Sequence, residues 1–170
     1  VAARPPEDIQ ACVRKESGIK TRAARKGKRV GIGAPGSGVE GDVQAIFKVA
    51  GLTYDDLAKA DFLDFAATTS RFKDNQIDAG FVVAGYPTAS IMDLTTTKDV
   101  TLLSCDDEML ATLQKEYPLF VPSTAPATTY SGITTETKTP AVIAILITTD
   151  YLPQDQISKF LPSMYGTSAQ

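Results

Sequence analysis

Arg29-Val30-Gly31-Ile32-Gly33-Ala34-Pro35-Gly36-Ser37-Gly38 is a short apolar strand that runs straight into a glycine-rich turn. An amphipathic helix follows. Val39, Val43, Ile46, Phe47 and Ala50 recur at the spacing that lines one face of a 3.6-residue period. Gly51 stands where a helix ends in the left-handed conformation. Strand, turn and helix start together make an anion site, because the first helical N–H groups are unpaired and glycine lets a ligand approach the backbone. The plain alternative is a tight turn whose glycines only satisfy geometry.

The residues narrow the kind of anion. A Walker A loop needs Gly-Lys-Ser/Thr at its end, so that the lysine reaches the terminal phosphates and the hydroxyl holds magnesium. Gly33 and Gly38 have the spacing, but Val39-Glu40 follows, which argues against an NTPase. Gly31-x-Gly33-x-x-Gly36 matches the dinucleotide fingerprint as written. Its acidic ribose partner belongs about 20 residues on, at a strand end. Asp55 and Asp56 have that distance, yet Leu-Thr-Tyr-Asp-Asp reads as a turn or helix start. An NAD-binding, Rossmann-type oxidoreductase domain is therefore the alternative reading.

The 170 residues suffice for one or at most two small domains with a real core. Net charge is −3, which gives no general reason to expect nucleic acid. Arg14, Lys15, Lys20, Arg22, Arg25, Lys26, Lys28 and Arg29 crowd one stretch without the interleaved aromatics that stack on bases. That stretch reads as a solvated connecting segment. No run approaches the ~20 apolar residues that span a bilayer, and Val1-Ala2-Ala3-Arg4-Pro5-Pro6 is not a signal peptide.

Histidine is absent, which removes Ser-His and Cys-His nucleophiles and histidine zinc sites together. Cys12 and Cys105 are too few and too separated for a metal cluster, and their apolar surroundings predict buried free thiols. Asp55-Asp56 and Asp106-Asp107-Glu108 stand at helix starts, where acid complements the dipole, and read as caps. No cofactor or metal is expected.

Along the chain, extended segments are predicted at 8–13, 28–32, 61–65, 77–83, 100–103 and 141–147, the last an unbroken apolar run and so a buried strand. Helices are predicted at 39–50, 66–73, 88–94, 106–115 and 154–161, the last with Ile157, Phe160 and Leu161 inward. Residues 54–58 read as a short helical turn and 117–130 as a loop. Pro87 is expected to pre-set the first helical position of 88–94. Alternating strands and helices indicate an α/β fold around a mainly parallel sheet. Right-handed crossovers then bring the turns at Gly33–Gly38 and Gly85–Thr88 to one sheet edge, where ligands bind in such folds. Two N–H cradles without a catalytic side chain favour a binding protein over an enzyme.

Several longer motifs follow one another in order. They are Ser17-Gly18-Ile19-Lys20, Lys26-Gly27-Lys28 leading into the 29–38 stretch, and Ala50-Gly51-Leu52-Thr53-Tyr54-Asp55-Asp56-Leu57. Gln76-Ile77-Asp78-Ala79-Gly80-Phe81-Val82-Val83-Ala84-Gly85-Tyr86-Pro87-Thr88-Ala89 and Tyr117-Pro118-Leu119-Phe120-Val121-Pro122 complete the set. Together they resemble the TAXI-type solute receptors of tripartite ATP-independent periplasmic (TRAP) transporters, over residues 11–161.

The resemblance implies a type II periplasmic-binding-protein lobe outside the cytoplasm. It implies capture of a small carboxylate or amino acid, glutamate-like, for the permease subunits of a TRAP transporter, with no nucleic-acid partner. It places ligand contacts at Gly36, Ser37, Gly38, Tyr86, Pro87 and Thr88. It divides the chain into an incoming segment and first crossing strand (1–15), the second, ligand-binding lobe (16–138), and a return crossing strand with a C-terminal helix (139–170). The family's long first segment has no counterpart here, so weak, millimolar carboxylate binding is expected of this chain. Val39 stands where the family commonly has threonine, and Thr21-Arg22-Ala23-Ala24-Arg25 lacks the usual apolar residue.

Overall fold

The computed structural model describes residues 2–21 and 25–165. These form seven strands, β1 (Ala2–Arg14), β2 (Arg29–Gly31), β3 (Lys59–Asp61), β4 (Ala79–Ala84), β5 (Val100–Leu102), β6 (Phe120–Ala125) and β7 (Thr137–Leu146). Five helices accompany them, α1 (Gly38–Val49), α2 (Phe65–Lys73), α3 (Ala89–Thr97), α4 (Asp107–Glu116) and α5 (Gln154–Tyr165). The sheet order is β3-β2-β4-β1-β7-β6, with β5 also paired to β1.

β2 pairs in parallel with β3 and β4. β4 and β5 both run antiparallel to β1, so β3, β2, β4 and β5 share one direction. The fold is α/β, with a mainly parallel sheet flanked by helices. β1 is the exception: the first strand of the chain lies inside the sheet against the common direction, paired from Asp8↔Ala84 to Val13↔Ala79.

Alternation along β1 divides the core in two. Ile9, Ala11 and Val13 face a cluster with Val43, Ile46 and Phe47 of α1 and Leu113 of α4. Cys12 faces the other, with Phe72, Ile91, Leu94 and Tyr130. Helices therefore cover both faces, which is why β4 reads as a continuous apolar run. Phe47 is 1% exposed and packs edge-to-face on Phe81, with ring centroids 6.1 Å apart. Truncating such a side chain to alanine typically costs about 3–5 kcal/mol.

Local chemistry sets the helix ends. Ser37 caps α1 by accepting from the Glu40 N–H at 3.2 Å. Gly51, at φ 68°, closes it: its N–H donates to the Lys48 carbonyl at 3.1 Å, and the Leu52 N–H donates to the Phe47 carbonyl at 2.8 Å. Asp106 caps α4 through the Met109 N–H, and Asp56 closes the capping box of the 54–56 turn with Thr53. Both acidic clusters thus serve as caps.

Four expectations are corrected. The second strand is Lys59–Asp61, two residues earlier than predicted, because Asp64 accepts from the Ala67 N–H and starts α2 at Phe65. The stretch 117–130 contains β6, recruited by main-chain pairing to β7 from Phe120↔Val142 to Ala125↔Thr137. Pro87 precedes the N-cap Thr88, through a cis Tyr86–Pro87 bond, and does not occupy the first helical position. The basic stretch is not simply a solvated connector. Arg14 is buried, its Nε donating to the Ile77 carbonyl at 2.8 Å and its Nη2 to that of Phe72. Arg25 is fully buried, its guanidinium 4.8 Å from the Phe81 ring centroid. Arg22, Ala23 and Ala24 lie outside the described residues.

Residues 5–143 form one compact unit, and residues 1–4 with 144–170 another. The run 141–147 is buried only at its start: Ala141 is fully covered, whereas Ile143, Ile145 and Ile147 are exposed. α5 shows the same departure, with Ile157 half-buried and Phe160 exposed; the Leu161 side chain lies outside the described residues. An apolar run states that a surface gains from cover. It does not state that its own chain supplies the cover.

Candidate functional site

β2 and β4 are parallel neighbours, with Val30 opposite Ala79 and Gly31 opposite Gly80. Their carboxyl ends therefore release the 33–38 and 85–88 turns at one sheet edge. Among the described residues no hydrogen bond joins the two turns, and each is closed by its own contacts.

The first turn is built by close approach. Gly33 lies at φ 98°, and a Cβ there would stand 2.8 Å from the Glu40 backbone nitrogen. Only glycine fits the passage from β2 into α1. Gly36 is also left-handed, at φ 71°, and its N–H donates to Glu40 Oε2 at 2.6 Å. Ser37 caps the helix, and Gly38 opens it with free space where a side chain would go. The helix start thus presents amide groups, one of which already holds a carboxylate of the chain itself.

The second turn is held from below. Gln10 of β1, buried at 1% exposure, donates from Nε2 to the Ala84 carbonyl at 2.9 Å and to Thr88 Oγ1 at 3.0 Å. The Tyr130 hydroxyl donates to Gln10 Oε1 at 2.5 Å and accepts from the Thr88 N–H at 3.0 Å. Thr88 Oγ1 donates onward to the Gly85 carbonyl at 2.9 Å. Both polar groups of Thr88 therefore have partners within the chain. Burial raises the Tyr130 phenol above its ordinary range, partly offset by these hydrogen bonds. Pro87 is exposed.

Tyr86 is half-buried, and its hydroxyl is enclosed without a hydrogen-bond partner of good geometry. Burial, and next the neighbouring Asp8, push the phenol well above its usual range. Asp8 lies opposite Ala84 and is 5% exposed. Burial raises its carboxyl, and the facing Ser123 and Tyr86 hydroxyls pull it partly back.

The six predicted positions thus lie in two turns at a common edge. Gln10, Tyr130, Asp8 and Ser123, which the sequence reading did not single out, support the second turn. One signal was available: Asp8 and Gln10 are polar residues inside an otherwise apolar strand. Asp55 stands in the 54–56 turn and Asp56 in its capping box, away from any strand end, so the ribose partner of a dinucleotide site is missing there. Two surface clefts, of about 680 Å³ beside the C-terminal end of α1 and about 290 Å³ between α1 and α4, contain none of the predicted positions. Among the described residues no group of three or more His, Cys, Asp or Glu is placed to hold a metal ion, and no helix is long and apolar enough to cross a membrane.

A profile of the NMT1-like family matches residues 1–169. The chain belongs to the NMT1-like family. This NMT1-like chain is similar to an ancestral arginine-binding protein bound to arginine, at 18% identity and TM-score 0.51, over 95% of this chain and 55% of that one. It is similar to the binding-protein component of an ABC phosphonate transporter from Pseudomonas aeruginosa, at 12% identity and TM-score 0.50, over 93% and 44%. The periplasmic aliphatic sulphonate-binding protein SsuA of Escherichia coli matches at 23% identity and TM-score 0.48, over 56% and 29%. The first two share the fold of the NMT1-like chain. The chain spans 29% to 55% of the lengths of these three proteins.

Proposed function

We propose that the chain is the ligand-holding lobe of an extracytoplasmic solute receptor. The observation that carries this reading is the common edge: two strand-to-helix turns leave neighbouring parallel strands there, one presenting helix-start amides and the other fixed by the buried Gln10–Tyr130–Thr88 network. Such an arrangement holds a small polar solute and offers no nucleophile or general base to transform it. The periplasmic-binding-protein fold of its structural neighbours and its NMT1-like membership support the reading.

In this reading Gly36, Ser37, Gly38, Tyr86, Pro87 and Thr88 contact the solute. Residues 16–138 form the lobe, and 1–15 and 139–170 supply the crossing strands and the C-terminal helix. The solute is a small organic acid or amino acid such as glutamate. The motifs that resemble TAXI receptors support delivery to the permease subunits of a TRAP-type secondary transporter.

Calorimetric and NMR titration with glutamate and, separately, with NAD tests the reading. Glutamate is expected to shift amides in the 36–38 and 86–88 turns, and NAD to leave the chain unchanged. Micromolar NAD affinity would replace the receptor reading with a dinucleotide-binding one.

A further inference from the structure

Four carboxylates gather where β2 and β4 end. The antiparallel register sets Asp8 opposite Ala84, the last residue of β4, and Glu7 lies one residue further towards the turns. α1 brings Glu40 and Asp42 to the same edge. Glu40 occupies the Gly36 N–H, an amide that the turn would otherwise offer to an anion. Asp42 is half-buried, and the charge of Glu7 acts on it. Among the described residues no salt bridge reaches any of the four. Instead the Lys15–Asp99, Lys26–Asp56 and Arg29–Asp78 pairs lie at the other edge, beside the first residues of β5, β2 and β4.

An independent observation points to what the acidic edge holds. Asp8 is buried, yet its Oδ1 accepts no hydrogen bond, and the enclosed Tyr86 hydroxyl beside it is also without a partner. A buried carboxylate in this state is strongly destabilised until a cation or N–H donors reach it. A simple dicarboxylate would add negative charge to a field that is already negative.

We propose that this edge takes the positively charged ammonium end of the solute, with Asp8 as its direct partner, Tyr86 as a second hydrogen-bonding group, and Glu7 and Asp42 supplying the surrounding negative charge. The inference rests on the receptor reading and deepens it: the solute is an amino acid or another amine, not a plain organic acid. Glu40, seated on the glycine turn, disfavours a second carboxylate at that point.

The test is an amide NMR titration of the 170-residue chain with n-butylammonium, glutarate and glutamate in turn. Butylammonium and glutamate are expected to shift Asp8, Asp42 and Tyr86, and glutarate to leave them in place. Asp8→Asn keeps the shape of the side chain and should weaken butylammonium about tenfold. Asp42→Asn, on a helix surface, should weaken it in the same direction and serves if the first variant fails to fold. Glutarate alone shifting these amides overturns the cation assignment and leaves the receptor reading intact. No shift from any of the three overturns both, and undiminished butylammonium binding by both variants overturns the role of the carboxylates.

Discussion

The Tyr130 hydroxyl donates to Gln10 Oε1 across a sequence separation of 120 residues, and the same oxygen accepts from the Thr88 N–H. A late loop thereby fixes both the first strand and the start of α3. Tyr130→Phe removes one oxygen and strands two buried groups, each of which costs about 1–3 kcal/mol when left unsatisfied. A total loss of about 2–4 kcal/mol is expected in urea unfolding. A loss below about 0.5 kcal/mol would mean that water or a rearranged partner replaces the hydroxyl, and that the network does not hold the turn.

Gly33 and Gly38 should respond differently to the same change. At Gly33 a methyl group meets the Glu40 backbone nitrogen at 2.8 Å, and φ is 98°. Gly33→Ala is expected to lose upwards of about 2 kcal/mol. At Gly38 nothing lies within 4 Å, so Gly38→Ala is expected to be neutral or stabilising by about 0.5 kcal/mol. Thermal unfolding of the two variants side by side decides the matter. Equal losses would mean that the strand-to-helix passage is not the tight point.

Asp42 predicts a stability change with pH. Burial first, and Glu7 second, raise its carboxyl from 3.8 to about 6. A folded value above the unfolded one means the protonated form stabilises the fold. That contribution is present below the unfolded value and is lost as pH rises through about 6. Asp42→Asn should therefore stabilise the protein at about pH 8 by about 1 kcal/mol, after discounting for partial exposure, and change little at about pH 4. Urea midpoints at both pH values give the sign; a variant less stable at the higher pH would contradict it.

Cys12 is expected to be inert. It is buried within the sheet, and burial pushes its thiol up to about 12. Cys105 is also free and buried. Ellman's reagent should label neither in the native protein and both in concentrated guanidinium. Rapid native labelling of Cys12 would show that β1 opens locally far below the global unfolding free energy.

The strand–turn–helix unit at 29–50 was legible because its signals are local: alternation, glycine, a capping serine and a helical period within twenty-two residues. The α/β class followed from repeating that pattern along the chain. The burial of Arg14 was not legible, since its acceptors are the carbonyls of Ile77 and Phe72, contributed by a distant helix and strand. Arg25 escaped for the same reason, its cover coming from Phe47 and Phe81. Gln10 looked like an irregularity in an apolar strand until Tyr130 and Thr88 were brought to it. β6 was missed because proline and threonine obscure a strand whose reason for being one is its partner β7.

The interior position of β1 also governs how the chain comes to be folded. Its partners β4, β5 and β7 begin at Ala79, Val100 and Thr137, so the earliest strand synthesised waits for three of the latest. Loop-closure entropy must be overcome before any of these pairings is rewarded. Refolding is accordingly expected to be slow for a domain of this size, with helices α1 and α2 formed before β1 is captured. Until then the first strand displays unpaired main-chain groups at both margins, and it is the segment of a nascent chain most exposed to association with other strands.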